Sequence, residues 1–335
     1  MKLKYNVTVA LNWDTVLGWS GIVDDERHTL TLTCEKHVKA AVDRHIKDKP
    51  IFKYATPCEA NVLRCHTDPG EELDDDAASV ARSVKGDLVY LAEMIAEIKL
   101  PVSIVCRRMH KPTVLSAAAA DRILMWCARN PAAARNVFDC SQGIVESNGS
   151  NPADVMYGGA PKDLGVHGIV DAEHGLPASF DVDKDYSAGF AQGARAIMFL
   201  GGYIHLVSHR IGAVTKDVTA AEVWEAAACA ADVAVYVATL NEWGIPIAYT
   251  VKIWSDSEST KWIAEDARAV KRIAYVARRC RYLQELEARG VIKIMKILGT
   301  KNPVNALTKA TITFNEFLSS LNYITGGATA MLHLK

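Results

Sequence analysis

The chain has 335 residues, half of them hydrophobic and 23% charged. That mix excludes an intrinsically disordered chain and leaves room for about two domains of ordinary size. Lys plus Arg number 38 against 39 Asp plus Glu, which excludes attraction of the whole molecule to nucleic acid; any such affinity has to come from a local patch.

No apolar run reaches the ~18 residues needed to span a bilayer, so no membrane span is expected. The first residues, MKLKYNVTV, lack the apolar core of a secretory signal. The eight cysteines (Cys34, Cys58, Cys65, Cys106, Cys127, Cys140, Cys229 and Cys280) have no framework spacing. They point to reduced thiols in an intracellular compartment, whether cytosol, nucleus or organelle matrix, rather than to a secreted protein. Cys34 and His37, with Cys58, Cys65 and His66, contain no Cys-x-x-Cys pair and read as buried thiols rather than a zinc site.

In chain order, VTVAL, VLGWSGIV and HTLTLTC predict strands, the last two joined by a polar turn at Asp24-Asp25-Glu26-Arg27. A helix follows over 35–47. The acidic run EELDDD then leads into a long helix to Glu97, capped by Asp74 to Asp76. Pro101 starts a shorter helix, and Pro112-Thr113 another that Pro131 closes. Residues 140–176, rich in Gly, Ser, Asn and Pro, read as a linker. Beyond it the pattern predicts a strand at 178–183, a hairpin across Gly201-Gly202 and a long helix at 218–241. A strand at 247–254, helices at 257–265 and 268–289, a strand at 291–298 and a last helix at 304–322 complete the series. This order implies an α/β sheet flanked by helices.

Four short segments in the second half are candidate chemistry: VDKDY, VTAAEV, WSDSES and NPVNALTKA. Each has an ordinary structural explanation. Asp183 is an acid at a strand end; Thr219 to Glu222 forms a capping box; Asp256 is a helix N-cap. In this order, with Gly201-Gly202 between, they resemble the ribonuclease H domain of copia-type LTR retrotransposon polyproteins. VLGWSGIVDDERHTLTLTC and the helical stretch to residue 131 resemble the part of the same polyproteins that follows the polymerase active site. Asp24 and Asp25 are then turn residues, not polymerase aspartates.

The resemblance implies a ribonuclease H-like five-stranded mixed sheet flanked by helices over 177–324. Residues 1–139 would be a smaller β-hairpin plus helical remnant of reverse transcriptase thumb and connection, without DNA synthesis, and 325–335 a tail. It also implies that Asp183 (or Asp181 in the alternative register), Glu222 and Asp256 stand at three of four magnesium-holding positions. The fourth is Asn305, where the family has an aspartate. Lys271-Arg272-Ile273 likewise replaces the family's Lys-His-Ile. Losing one of four charges weakens at least one metal in a two-metal site. Arg268, Lys271, Arg272, Arg278, Arg279 and Arg281, interleaved with Tyr275 and Tyr282, form a basic face suited to a phosphate backbone. The expectation is a catalytically impaired, retroelement-derived protein without cofactor. It would serve as an RNA- or protein-binding structural subunit of a larger assembly, such as an organellar ribosome, with no small-molecule substrate. The alternative is an active magnesium-dependent ribonuclease H cutting RNA in RNA–DNA hybrids.

Overall fold

The computed structural model describes residues 19–47, 49–57, 70–142, 146–173, 190–266, 275–309 and 312–327. The first part begins with a hairpin. β1 (Ser20–Asp24) and β2 (Thr29–Thr33) pair antiparallel, and the Asp24 side chain accepts a hydrogen bond from Arg27 N at 3.0 Å. The Asp pair is therefore a turn, as expected. Alternating Thr and Leu in β2 suit a strand packed on one face.

Helices α1 (Glu35–His45), α2 (Asp75–Ala92), α3 (Lys99–Val105) and α4 (Val114–Arg129) follow. Asp74 caps α2 through Ala77 N, and Thr113 caps α4 in a reciprocal box with Ser116. Leu88, Leu91, Ile95, Ile98, Ile123 and Trp126 form the centre of their core, each such side chain contributing ~1.5–3 kcal/mol of burial. The chain then returns as β3 (Arg135–Asp139), antiparallel to β2. This strand makes a three-stranded sheet of what the sequence presents as a hairpin.

The second part corrects the reading of 140–176 as a linker. This stretch holds a short helix, α5 (Pro152–Met156), and β4 (His167–Glu173), the central strand of the main sheet. β5 (Phe190–Phe199) and β6 (Gly202–Val214) form the expected hairpin, with Gly201 at φ 78° in the turn. Next come α6 (Val218–Glu242), β7 (Val251–Ser255), α7 (Glu258–Glu265), α8 (Ala277–Ala288) and β8 (Ile292–Lys296). The expected last helix is displaced. Residues Pro303–Leu307 form a 3-10 turn, and α9 (Phe314–Ile324) begins only at Phe314. The strand expected at 178–183 and VTVAL near the N-terminus lie outside the described residues.

The sheet order is β6-β5-β4-β7-β8. β4, β5 and β6 run antiparallel, whereas β7 and β8 are parallel to β4 and to each other. Each parallel join is made by a helix-containing crossover. Val166, Val170, Ile253 and Ile294 pack with α6 and α8 on one face. Ile169, Ala196, Leu307 and Leu321 pack on the other. Gly168 is required by close approach, since a Cβ there would come 2.8 Å from Cys229 Sγ.

Among the described residues, α6 is long and apolar enough to cross a membrane. It is also the core helix of this layer: Val223, Ala226, Ala230 and Val233 are buried against the sheet. The two parts of the chain dock directly. Tyr203 OH donates to Met94 O at 2.9 Å, and Asn136 Nδ2 donates to Tyr203 O at 2.7 Å.

Candidate functional site

The end of β4, the start of α6 and the end of β7 bring three acids together. One carboxylate oxygen from each of Asp171, Glu222 and Asp256 lies within 4.8 Å of the others. Asp171 stands third from the end of β4, 1% exposed. Its Oδ2 accepts from the Thr308 hydroxyl, and its Oδ1 lies 3.2 Å from Lys309 Nζ.

Glu222 is not a capping residue. The helix cap is Asp217, which accepts from Ala220 N at 2.8 Å, so Glu222 falls in the second turn and points inward. Its Oε1 accepts from Ala172 N at 3.2 Å, while Oε2 is buried with no hydrogen-bond partner among the described residues. Burial, then repulsion by Asp171 and Asp256, raise its pKa well above the ordinary glutamate value. Asp256 is not the cap of α7 either; Ser257 takes that role through Thr260 N. Asp256 follows β7 directly, and burial followed by Asp171 raise its pKa. Gly299 sits tight against it, since a Cβ there would come 2.9 Å from Asp256 Oδ2.

Asn305, in the 3-10 turn, is 8% exposed. Its Nδ2 donates to Gly299 O at 2.6 Å, and its Oδ1 accepts from Lys309 Nζ, also at 2.6 Å. Asn302 anchors this turn to the central strand by donating to Val170 O at 2.8 Å. The Lys309 ammonium thus stands between Asn305 and Asp171. Burial works against its charge, but Asp171 and Asp256 outweigh burial and hold its pKa above the ordinary lysine value.

Of the four expected positions the structure gathers Glu222, Asp256 and Asn305. Asp183 and the alternative Asp181 lie outside the described residues, and the acid that meets Glu222 and Asp256 is Asp171. The basic face is divided. Arg268, Lys271 and Arg272 also lie outside the described residues. Arg278 and Arg281 are exposed on α8. Arg279 turns inward, with its guanidinium 3.5 Å from the Trp224 ring centroid, and holds α8 against α6. Tyr275 is likewise engaged, its hydroxyl accepting from Lys216 N at 3.0 Å.

No family model matches this chain, and no curated protein matches it. Among solved structures, the native protease–reverse transcriptase of prototype foamy virus is similar at 13% identity and a TM-score of 0.29, over 50% of this chain. The chain matches 22% of the length of that protein.

The carboxylate cluster has a measurable electrostatic consequence. A carboxyl whose folded pKa is raised binds its proton more tightly in the folded state. Folding stability is therefore lost as pH climbs from the unfolded value through the folded one. Glu222→Gln mimics the protonated acid and keeps the oxygen that accepts from Ala172 N. It should raise stability by on the order of 1 kcal/mol at pH 8 and leave it unchanged near pH 4, where both forms are neutral. Urea denaturation at the two pH values measures this; equal stability at pH 8 would show that the cluster carries no such repulsion.

Proposed function

We propose that this chain carries a ribonuclease H-like domain of retroelement descent that holds one divalent cation. It binds RNA-containing duplexes, within a larger RNA or protein assembly, without cutting them efficiently. The fold assignment is supported by the sheet order together with the places of the four polar groups. These are the first strand of the sheet, the first long helix, the end of the fourth strand and the turn after the fifth. That arrangement agrees with the resemblance in VTAAEV, WSDSES and NALTKA, while the first acid comes from Asp171 of HGIVDAE rather than from VDKDY.

The donor set fits a hard divalent ion such as magnesium, which prefers carboxylate oxygen. Asp171, Glu222 and Asp256 would hold it, and the buried Oε2 of Glu222, which has no hydrogen-bond partner among the described residues, is the oxygen such an ion would satisfy. When bound, it supplies Lewis-acid stabilisation to a phosphodiester oxygen. Three ionised acids and the Lys309 ammonium leave two negative charges, the amount one divalent ion cancels. A second ion would meet a neutral pocket, an amide in place of an acid, and a lysine already between Asp171 and Asn305. The contact of Lys309 with both residues is the observation that carries the reading.

The convergence of three intact acids favours the other reading, an active magnesium-dependent ribonuclease H. Incubation with an RNA–DNA hybrid in magnesium or manganese separates the two. We expect binding in a gel-shift assay with cleavage near background. Clean cutting that disappears in Asp256→Asn would establish the active enzyme instead.

A further inference from the structure

A cavity of about 440 Å³ opens beside the carboxylate cluster. Asp256, Asn305 and Lys309 line its charged end, and Tyr157 and Ile312 give it aromatic and apolar surface. Glu316 of α9 also lines it. Tyr157, at the end of α5, is 54% exposed, and Lys301 Nζ lies 4.6 Å from its ring centroid. Of these residues only Asp256 is also one of the acids that would hold the ion.

We propose that this cavity takes a single ribonucleotide bearing a terminal phosphate monoester. The inference rests on the cation reading above and adds the ligand. The volume is that of a small-molecule site. Local contacts select the phosphate. With an ion at Asp171, Glu222 and Asp256 the acids, the ion and Lys309 sum to zero, and a phosphate would be held by the ion and by the Lys309 ammonium that lines the cavity. A phosphate monoester carries about −1.5 to −2 at pH 7, whereas each internal diester carries about −1. The base has Tyr157 to stack on, as bases do on aromatic side chains. Glu316 Oε2 accepts from Thr313 N and Oγ1 in the cap of α9, and Oε1 offers an acceptor to a ribose hydroxyl, which a deoxyribose lacks at the 2′ position.

Calorimetric titration of the full chain tests this with AMP as probe, after manganese binding has been measured alone. AMP should bind only with magnesium or manganese present, and adenosine should not bind. Deoxy-AMP should bind more weakly, and Tyr157→Ala should weaken AMP about tenfold while Tyr157→Phe retains it. A 5′-phosphorylated oligoribonucleotide binding more tightly than AMP identifies a strand end as the source of the ligand. AMP binding more tightly identifies the free nucleotide; either result supports the site. Manganese binding without AMP binding, or AMP affinity indifferent to metal or to Tyr157→Ala, overturns this proposal alone. Absence of manganese binding overturns the cation reading as well.

Discussion

Asn305→Asp should raise hybrid cleavage by about a hundredfold. The substitution restores a carboxylate where Asn305 Oδ1 now accepts from Lys309 at 2.6 Å, next to the Asp171 carboxylate that the same lysine contacts. Adding one negative charge ~4 Å from a positive one is worth about 4 kcal/mol per unit charge at an effective dielectric of 20. Part of that gain is cancelled by desolvating the new carboxylate and part by its pairing with Lys309. What remains, about 2–3 kcal/mol, corresponds to ~10² in rate. Initial rates in manganese measure the effect, and the number of bound manganese ions should rise with it. If that number rises while the rate stays at background, the defect lies elsewhere than at Asn305. If neither changes, the missing anion is not what limits this pocket.

Much of the site is legible in the sequence because helices and strands set it with strong periodic signals. The long helix, read as 218–241 and observed as Val218–Glu242, is found nearly to the residue, and the hairpin turn lies at Gly201-Gly202 with both strands extending four or five residues further than read. Asp171 was not legible, for a physical reason. HGIVDAE is a central strand buried on both faces, so it shows no alternation of polar and apolar residues. Its Gly168 is there to let Cys229 approach. Its His167 is a buried polar residue, hydrogen-bonded to Gly165 O at 2.9 Å and to Tyr323 OH at 3.0 Å. Among neighbouring glycines and prolines, such a segment looks like a loop until its partners are known. The capping explanations for Glu222 and Asp256 failed in the same way. Asp217 and Ser257, one helical turn or one residue away, cap the helices better and leave the two acids free to face each other. LTKA is legible as a motif, but only the 3-10 turn shows that its lysine reaches back to Asp171.

Arg195→Met should produce the largest loss of stability, about 3–5 kcal/mol, because it removes the cation from a second, separate charge network. Arg195, on β5, lies 2.6 Å from Glu225 Oε1 and 2.5 Å from Asp232 Oδ2. The Glu225 side chain is fully buried, and a Cβ on Gly193 would come 2.3 Å from its Oε2, so the carboxylate is packed tightly against the sheet. Burial disfavours the Glu225 charge, but His209, with Nε2 at 3.0 Å, and Arg195 outweigh burial and hold its pKa below the ordinary glutamate value. Without the guanidinium, the carboxylate keeps its hydrogen bond with His209 and a weaker electrostatic interaction with Arg279. The sign of the pH dependence follows: Glu225 would then hold its proton to higher pH, so the deficit should be greatest above pH 8 and shrink as pH falls toward 5. Adding Glu225→Gln to Arg195→Met should recover at least half of the loss, because an amide in the same place needs no counter-charge. Urea denaturation of the single and double variants measures both numbers. A loss below 1 kcal/mol in Arg195→Met, or no recovery in the double variant, would mean that the network does not hold α6 to the sheet by charge.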